Sequence, residues 1–129
     1  MRFFSKFAAL ALVFSLAGCA GVPILNVTDA LTTNASGKAQ SKEEVRAAIL
    51  RAGAALGWQI KDEGPNMLVG TLQLRKHLAV VEIPYSTTNY SIKYRSSLNL
   101  DQKGVTIHKN YNGWIQNLTR GINAQLTAS

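Results

Sequence analysis

Two apolar stripes of helical period enclose a long run of alternating residues in this chain. Val45, Ile49, Ala52 and Leu56 recur at spacings of four, three and four, which places them on one side of a helix. Ser41 ahead of them and Glu44 three residues on fit a capping box, in which hydroxyl and carboxylate each satisfy a free backbone amide. Glu43 and Glu44 also sit at the positive end of the helix dipole, and Gly57 is placed to end the helix. From about Asn110, the residues Tyr111, Trp114 or Ile115, Leu118, Ile122 and Leu126 form a second stripe. Gly113 and Gly121 weaken that helix by about 1 kcal/mol each relative to alanine, so packing has to supply the difference.

Between the stripes the period falls to two. Residues 58–61 alternate, and Glu63-Gly64-Pro65-Asn66 is a strong turn signal. Residues 67–75 and 78–85 read as the arms of a hairpin. A turn at Lys76-His77 sets Leu74 opposite Ala79, Leu72 opposite Val81, Gly70 opposite Ile83 and Leu68 opposite Tyr85, all on one apolar face. A second hairpin that pairs Tyr85 with Tyr90 sets Ile83 opposite Ile92 and Val81 opposite Tyr94 on that same face. A one-residue slip would destroy the agreement between the two turns. Lys-His is a poor tight-turn pair, so a longer turn of the same parity is the alternative. The pattern predicts an α+β fold: a two-layer sandwich of helix, antiparallel meander of three or four strands, and helix.

The first 40 residues belong to neither pattern. Arg2 and Lys6 precede an apolar run over residues 7–16, broken only by Ser15. Such a run is too short for a membrane span, which needs about 20 apolar residues, and it reads as a secretion leader over residues 1–18. Leu16-Ala17-Gly18-Cys19 follows at once and closely resembles the lipobox of bacterial lipoproteins. That resemblance implies that Cys19 carries a diacylglycerol thioether and, after cleavage, an acylated amine. Several acyl chains anchor for good where one binds reversibly. Cys19 is the single cysteine, so no disulfide staples the exported part. In Gram-negative lipoproteins an Asp after the cysteine favours the inner membrane. Ala20 in its place implies the outer membrane, facing the periplasm. Residues 19–40, rich in small and polar types, read as a flexible lipidated tether, with residues 24–27 its one apolar patch and a candidate edge strand. Residues 41–129 are then a single domain.

Without the leader, the 14 basic residues fall to 12 against 7 acidic ones. A basic surface of this kind suits anionic envelope material, and the exported address argues against nucleic acid. Chemistry is weakly signalled. His77 and His108 are the only histidines, and no cluster has metal-ligand spacing, so neither metal nor cofactor is expected. No serine sits in a nucleophile-elbow pattern. Glu82 is the one carboxylate without a cap or turn role. It lies mid-strand on the outer sheet face, opposite Thr71 and beside Lys93 and Arg95. Val69, Thr71, Gln73, Val80 and Pro84 make that face half apolar. Tyr85, Tyr90, Tyr94, Tyr111 and Trp114 are expected near one end of the sheet, either as a pocket for sugar or peptide or as an aromatic core.

His77, Val81-Glu82-Ile83-Pro84-Tyr85, Tyr90-Ser91-Ile92-Lys93-Tyr94, Ser97-Leu98-Asn99-Leu100 and Tyr111-Asn112-Gly113-Trp114-Ile115 resemble a group of small proteobacterial lipoproteins of uncharacterised function. The resemblance spans roughly residues 43–126. It implies an envelope location and a small α+β domain, and it transfers no catalytic residue. The expected function is a non-enzymatic, lipid-anchored periplasmic domain that binds an envelope protein or cell-wall component, through either the tyrosine-rich end or the outer sheet face, with Tyr85, Tyr90, Tyr94, Tyr111, Trp114, His77 and Glu82 as the candidate residues. The alternatives are a small cell-wall-directed hydrolase or transferase using Glu82 or His77, and a self-associating structural lipoprotein.

Overall fold

The computed structural model describes residues 21–33 and 37–128. The leader and the Leu16–Cys19 motif lie outside the described residues. The chain is an α+β sandwich. Its elements run β1 (Val22–Pro23), β2 (Val27–Leu31), α1 (Lys42–Ala55), β3 (Gln59–Asp62), β4 (Met67–Leu74), β5 (His77–Pro84), β6 (Asn89–Leu98), β7 (Thr106–Ile107) and α2 (Lys109–Ala128). Strands β3 to β6 form the four-stranded meander, β2 adds to its β6 edge, and β1 pairs with β7 in a separate ribbon.

Local signals place both helices. The Glu44 amide donates to Ser41 Oγ at 3.1 Å and the Ser41 amide to Glu44 Oε1 at 3.3 Å, completing the capping box. Hydrogen bonding from the Ser41 amide, and secondarily from the Ser41 side chain, stabilises the ionised carboxylate and holds Glu44 below the usual carboxylate range. At the other end Gly57 takes φ 86°, a left-handed conformation that costs glycine little. Val45, Ala48, Ile49, Ala52 and Gly53 are buried, whereas Leu56, beyond the last turn, is 40% exposed. In α2 the buried stripe is Tyr111, Ile115, Leu118, Ile122 and Leu126, so Ile115 rather than Trp114 faces inward.

The sheet keeps the expected parity but shifts one register. Leu74 pairs with His77, Leu72 with Ala79, Gly70 with Val81 and Leu68 with Ile83. The tight turn is therefore Arg75-Lys76, with Arg75 at φ 54°, and every pair moves two residues from the expectation built on Lys76-His77. A two-residue slip leaves each side chain on its face, so the apolar face survives intact. The second hairpin matches the expected register at Tyr85–Tyr90 and Val81–Tyr94. Beyond Tyr94 one extra residue, Arg95, enters β6 as a bulge, after which Val80 pairs with Ser96 and Ala79 with Ser97.

The N-terminal segment departs most from expectation. Residues 22–31, assigned to a flexible tether, are paired. Val22 lies opposite Ile107, Val27 opposite Ile92 and Ala30 opposite Tyr90. The edge strand begins at Val27, where the expected apolar patch ends. Three side chains fasten it: Asn112 Oδ1 accepts from the Leu25 amide, Asn26 Oδ1 from the Tyr94 amide, and Ser91 Oγ from the Asp29 amide. The last bond lies at a bulge where Asp29 has φ 51°, and it explains why Ser91 is buried. No described helix is long and apolar enough to cross a membrane.

Candidate functional site

The candidate aromatic residues divide into two groups. Tyr111, in the first turn of α2, is fully buried and meets Tyr94 edge-on, with ring centroids 5.6 Å apart. The Tyr94 hydroxyl lies 2.8 Å from Ser97 Oγ. One turn further along α2, Trp114 tilts against His77 at 6.3 Å. His77 Nδ1 is 2.7 Å from the Asn99 carbonyl, which can only accept, so Nδ1 carries the proton. The second group is at the other end of the sheet. Tyr90, fully buried, donates to Asn123 Oδ1 at 2.7 Å, and Lys42 Nζ sits 5.6 Å over the Tyr85 ring. Tyr111 and Asn123 are 12 residues apart on one helix, about 18 Å. One pocket does not hold both groups.

These tyrosines serve the core. Burial pushes the Tyr90 hydroxyl up to about 12 and raises Tyr111 further, because phenolate is poorly solvated between helix and sheet. Tyr85 is raised for the same reason. The Tyr111 hydroxyl has no hydrogen-bond partner among the described residues. The expectation of a tyrosine cluster at one end of the sheet is thus corrected. The alternation that puts Tyr85, Tyr90 and Tyr94 on the inner face also spreads them along the strands.

Glu82 and His77 occupy opposite faces of β5, since five residues separate them and side chains alternate. They cannot act on the same atom. Glu82 lies across from Val69, not Thr71, because of the two-residue shift, and Lys93 is its other neighbour. Its Oε1 is 3.8 Å from Arg95 Nε, while Arg95 donates to Glu63 Oε2 at 2.8 Å. The bulge delivers Arg95 to this place. One guanidinium bridging two solvent-facing carboxylates gives Glu82 a surface-pairing role of modest energetic weight.

Helices cover one face of the sheet and leave the other open. On the open face Val69, Thr71, Leu78 and Val80 are half-buried and adjacent, with Thr71 across from Val80 and Leu78 across from Leu98. A depression of about 280 Å³ borders this patch, lined by Gln59, Lys61, Asp62, Glu63, Val69 and Thr71. A second, of about 470 Å³, lies at the start of α2 among Val22, Lys109, Asn110, Asn112 and Trp114. His108 caps that helix, its Nδ1 accepting from the Asn110 amide at 3.1 Å. Among the described residues no three potential metal ligands converge. Sequence reasoning missed Asn26, Ser91 and Asn112, which hold the N-terminal strands. Isolated polar residues in polar stretches give no signal of a partner 60 to 90 positions away. Compared with known protein families, curated proteins and solved structures, the chain matches none.

Proposed function

We propose that this chain is a lipid-anchored envelope domain, facing the periplasm from the outer membrane, that acts by binding a protein partner through its open sheet face. The leader and the Leu16-Ala17-Gly18-Cys19 motif support the address. The observation that carries the binding reading is the adjacent, half-buried patch of Val69, Leu78 and Val80, flanked by Lys93, Glu82 and Arg95. An apolar centre with a charged rim matches the make-up of a protein interface. A sugar subsite would be better served by exposed aromatic rings, and here Tyr85, Tyr90 and Tyr111 are buried in the core and Tyr94 is half-buried against it. The test is a photoreactive residue placed at Thr71, and at Gln116 on α2 as control, in cells of the native host. The expected result is one adduct of discrete size from Thr71 alone, lost when Val80→Asp is added. Equal adducts from both positions, or none from either, refute the reading.

A further inference from the structure

The described residues begin at Gly21, two positions after the proposed anchor. Gly21 packs so closely on β7 that an added Cβ would lie 2.6 Å from the Ile107 carbonyl oxygen, and Val22 pairs with Ile107. Two residues reach at most about 7 Å, so acyl chains on Cys19 hold the β1–β7 end of the domain against the bilayer. A long tether would let any face of the domain approach the bilayer; a reach this short keeps the β1–β7 end near it.

That end has the composition of a membrane-contacting surface. It is assembled from the β4–β5 turn, the segment after β6, β7 and the start of α2. His77 bonded to Asn99, the His108 amide bonded to the Leu100 carbonyl, and the Ile24 amide bonded to the Val105 carbonyl join these parts. Three of the five exposed large apolar side chains among the described residues gather here: Val105 at 77%, Leu98 at 60% and Leu74 at 44%. Arg75, Lys76, Lys103 and Lys109 stand among them, and none pairs with a carboxylate among the described residues. Asp101 is the one acid of this end. The opposite end, by the start of α1 and the β3–β4 turn, holds Asp29, Glu43, Glu44, Asp62 and Glu63 together with Lys38, Lys42, Arg46 and Lys61, and Asp62 and Glu63 are paired to Arg46 and Arg95. The two ends therefore differ in balance along the axis that the anchor would set normal to the membrane: the anchor end carries four bases to one acid, and the far end is nearly neutral.

We infer that the β1–β7 end, centred on Val105 and rimmed by Arg75, Lys76, Lys103 and Lys109, docks on the anionic phospholipid surface in which Cys19 is anchored. The inference rests on the proposed lipidation. Within about 8 Å of an anionic leaflet these cations are not screened, and exposed apolar residues between them can enter the headgroup layer. Docking fixes the open face of the sheet upright from the membrane, where a partner can reach it.

The test uses the full chain, made with its leader in a Gram-negative host and reconstituted from detergent into vesicles. Cys19 is the only native thiol, and a thioether there takes no label. Val105→Cys and, at the far end, Leu31→Cys (72% exposed) therefore carry a polarity-sensitive fluorophore selectively. In phosphatidylglycerol–phosphatidylcholine vesicles the probe at 105 is expected to shift to the blue and be quenched by brominated acyl chains, while the probe at 31 stays aqueous. Adding Lys103→Glu and Lys109→Glu, or using phosphatidylcholine alone, returns the 105 signal to the aqueous value. Equal aqueous signals at 105 and 31, with lipid on Cys19 verified by mass, overturn docking and leave the anchor standing. A Cys19 that takes the label overturns the anchor, and the docking with it.

Discussion

Tyr90 and Tyr111 offer a comparison in which one missing oxygen has opposite consequences. Both are fully buried between α2 and the sheet, so Tyr→Phe removes the same atom from similarly dry sites. Tyr90 donates to Asn123 Oδ1 at 2.7 Å. Losing such a bond costs about 1 kcal/mol, and the exposed Asn123 then turns to water. Tyr111 has no partner for its hydroxyl among the described residues, and an unsatisfied buried hydroxyl costs about 1–3 kcal/mol. Tyr90→Phe is therefore expected to lower the urea midpoint and Tyr111→Phe to raise it, each with an unchanged m-value. In a domain of this size about 1 kcal/mol corresponds to roughly 4 °C in Tm, in opposite directions. The double variant should return close to the parent, since different contacts are involved. A loss of about 1 kcal/mol in Tyr111→Phe would show that its hydroxyl is satisfied in solution and would refute the reasoning.

Further expectations concern pH, capping and the glycines. Unfolded tyrosine ionises near 10, whereas burial pushes folded Tyr90 up to about 12 and Tyr111 further. The raised folded values mean that stability is complete below pH ~10 and falls as pH rises toward ~12, by about 1.4 kcal/mol per unit for each tyrosine. Urea midpoints that stay constant across that window would contradict this, and Tyr90→Phe should flatten the slope. Ser41→Ala removes the acceptor of the Glu44 amide and should cost about 1 kcal/mol in denaturant unfolding; no change would mean that water replaces the cap. A Cβ at Gly53 would lie 2.2 Å from Ile60 Cδ1, so Gly53→Ala has to displace the half-buried Ile60, and with about 1 kcal/mol of helix propensity gained the net destabilisation should be at most about 2 kcal/mol. Gly113 has nothing within 4 Å of an added Cβ, and Gly113→Ala should stabilise α2 by about 1 kcal/mol. The same sign for the two glycine variants would count against the packing.

What the sequence determined by itself is local. The Ser41–Glu44 box, the stripe from Tyr111 to Leu126 and the shared parity of two hairpins were legible because each depends on spacings within a few residues, or on which face a side chain takes. What only the tertiary structure decided is everything invariant to those rules. A period of two cannot distinguish a turn at Arg75-Lys76 from one at Lys76-His77 with the same faces, so the backbone at Arg75 settled the register and moved Glu82 from Thr71 to Val69. The extra residue at Arg95 left no mark in the pattern, yet it produces the bridge between Glu63 and Glu82. Val27–Leu31 carries no alternation of its own and becomes a strand because β6 presents an open edge, with Ser91, Asn26 and Asn112 to hold it. The tyrosines were correctly placed on the inner face, but their separation along strands and helix is a matter of distance. Distance between elements is fixed only when the layers pack.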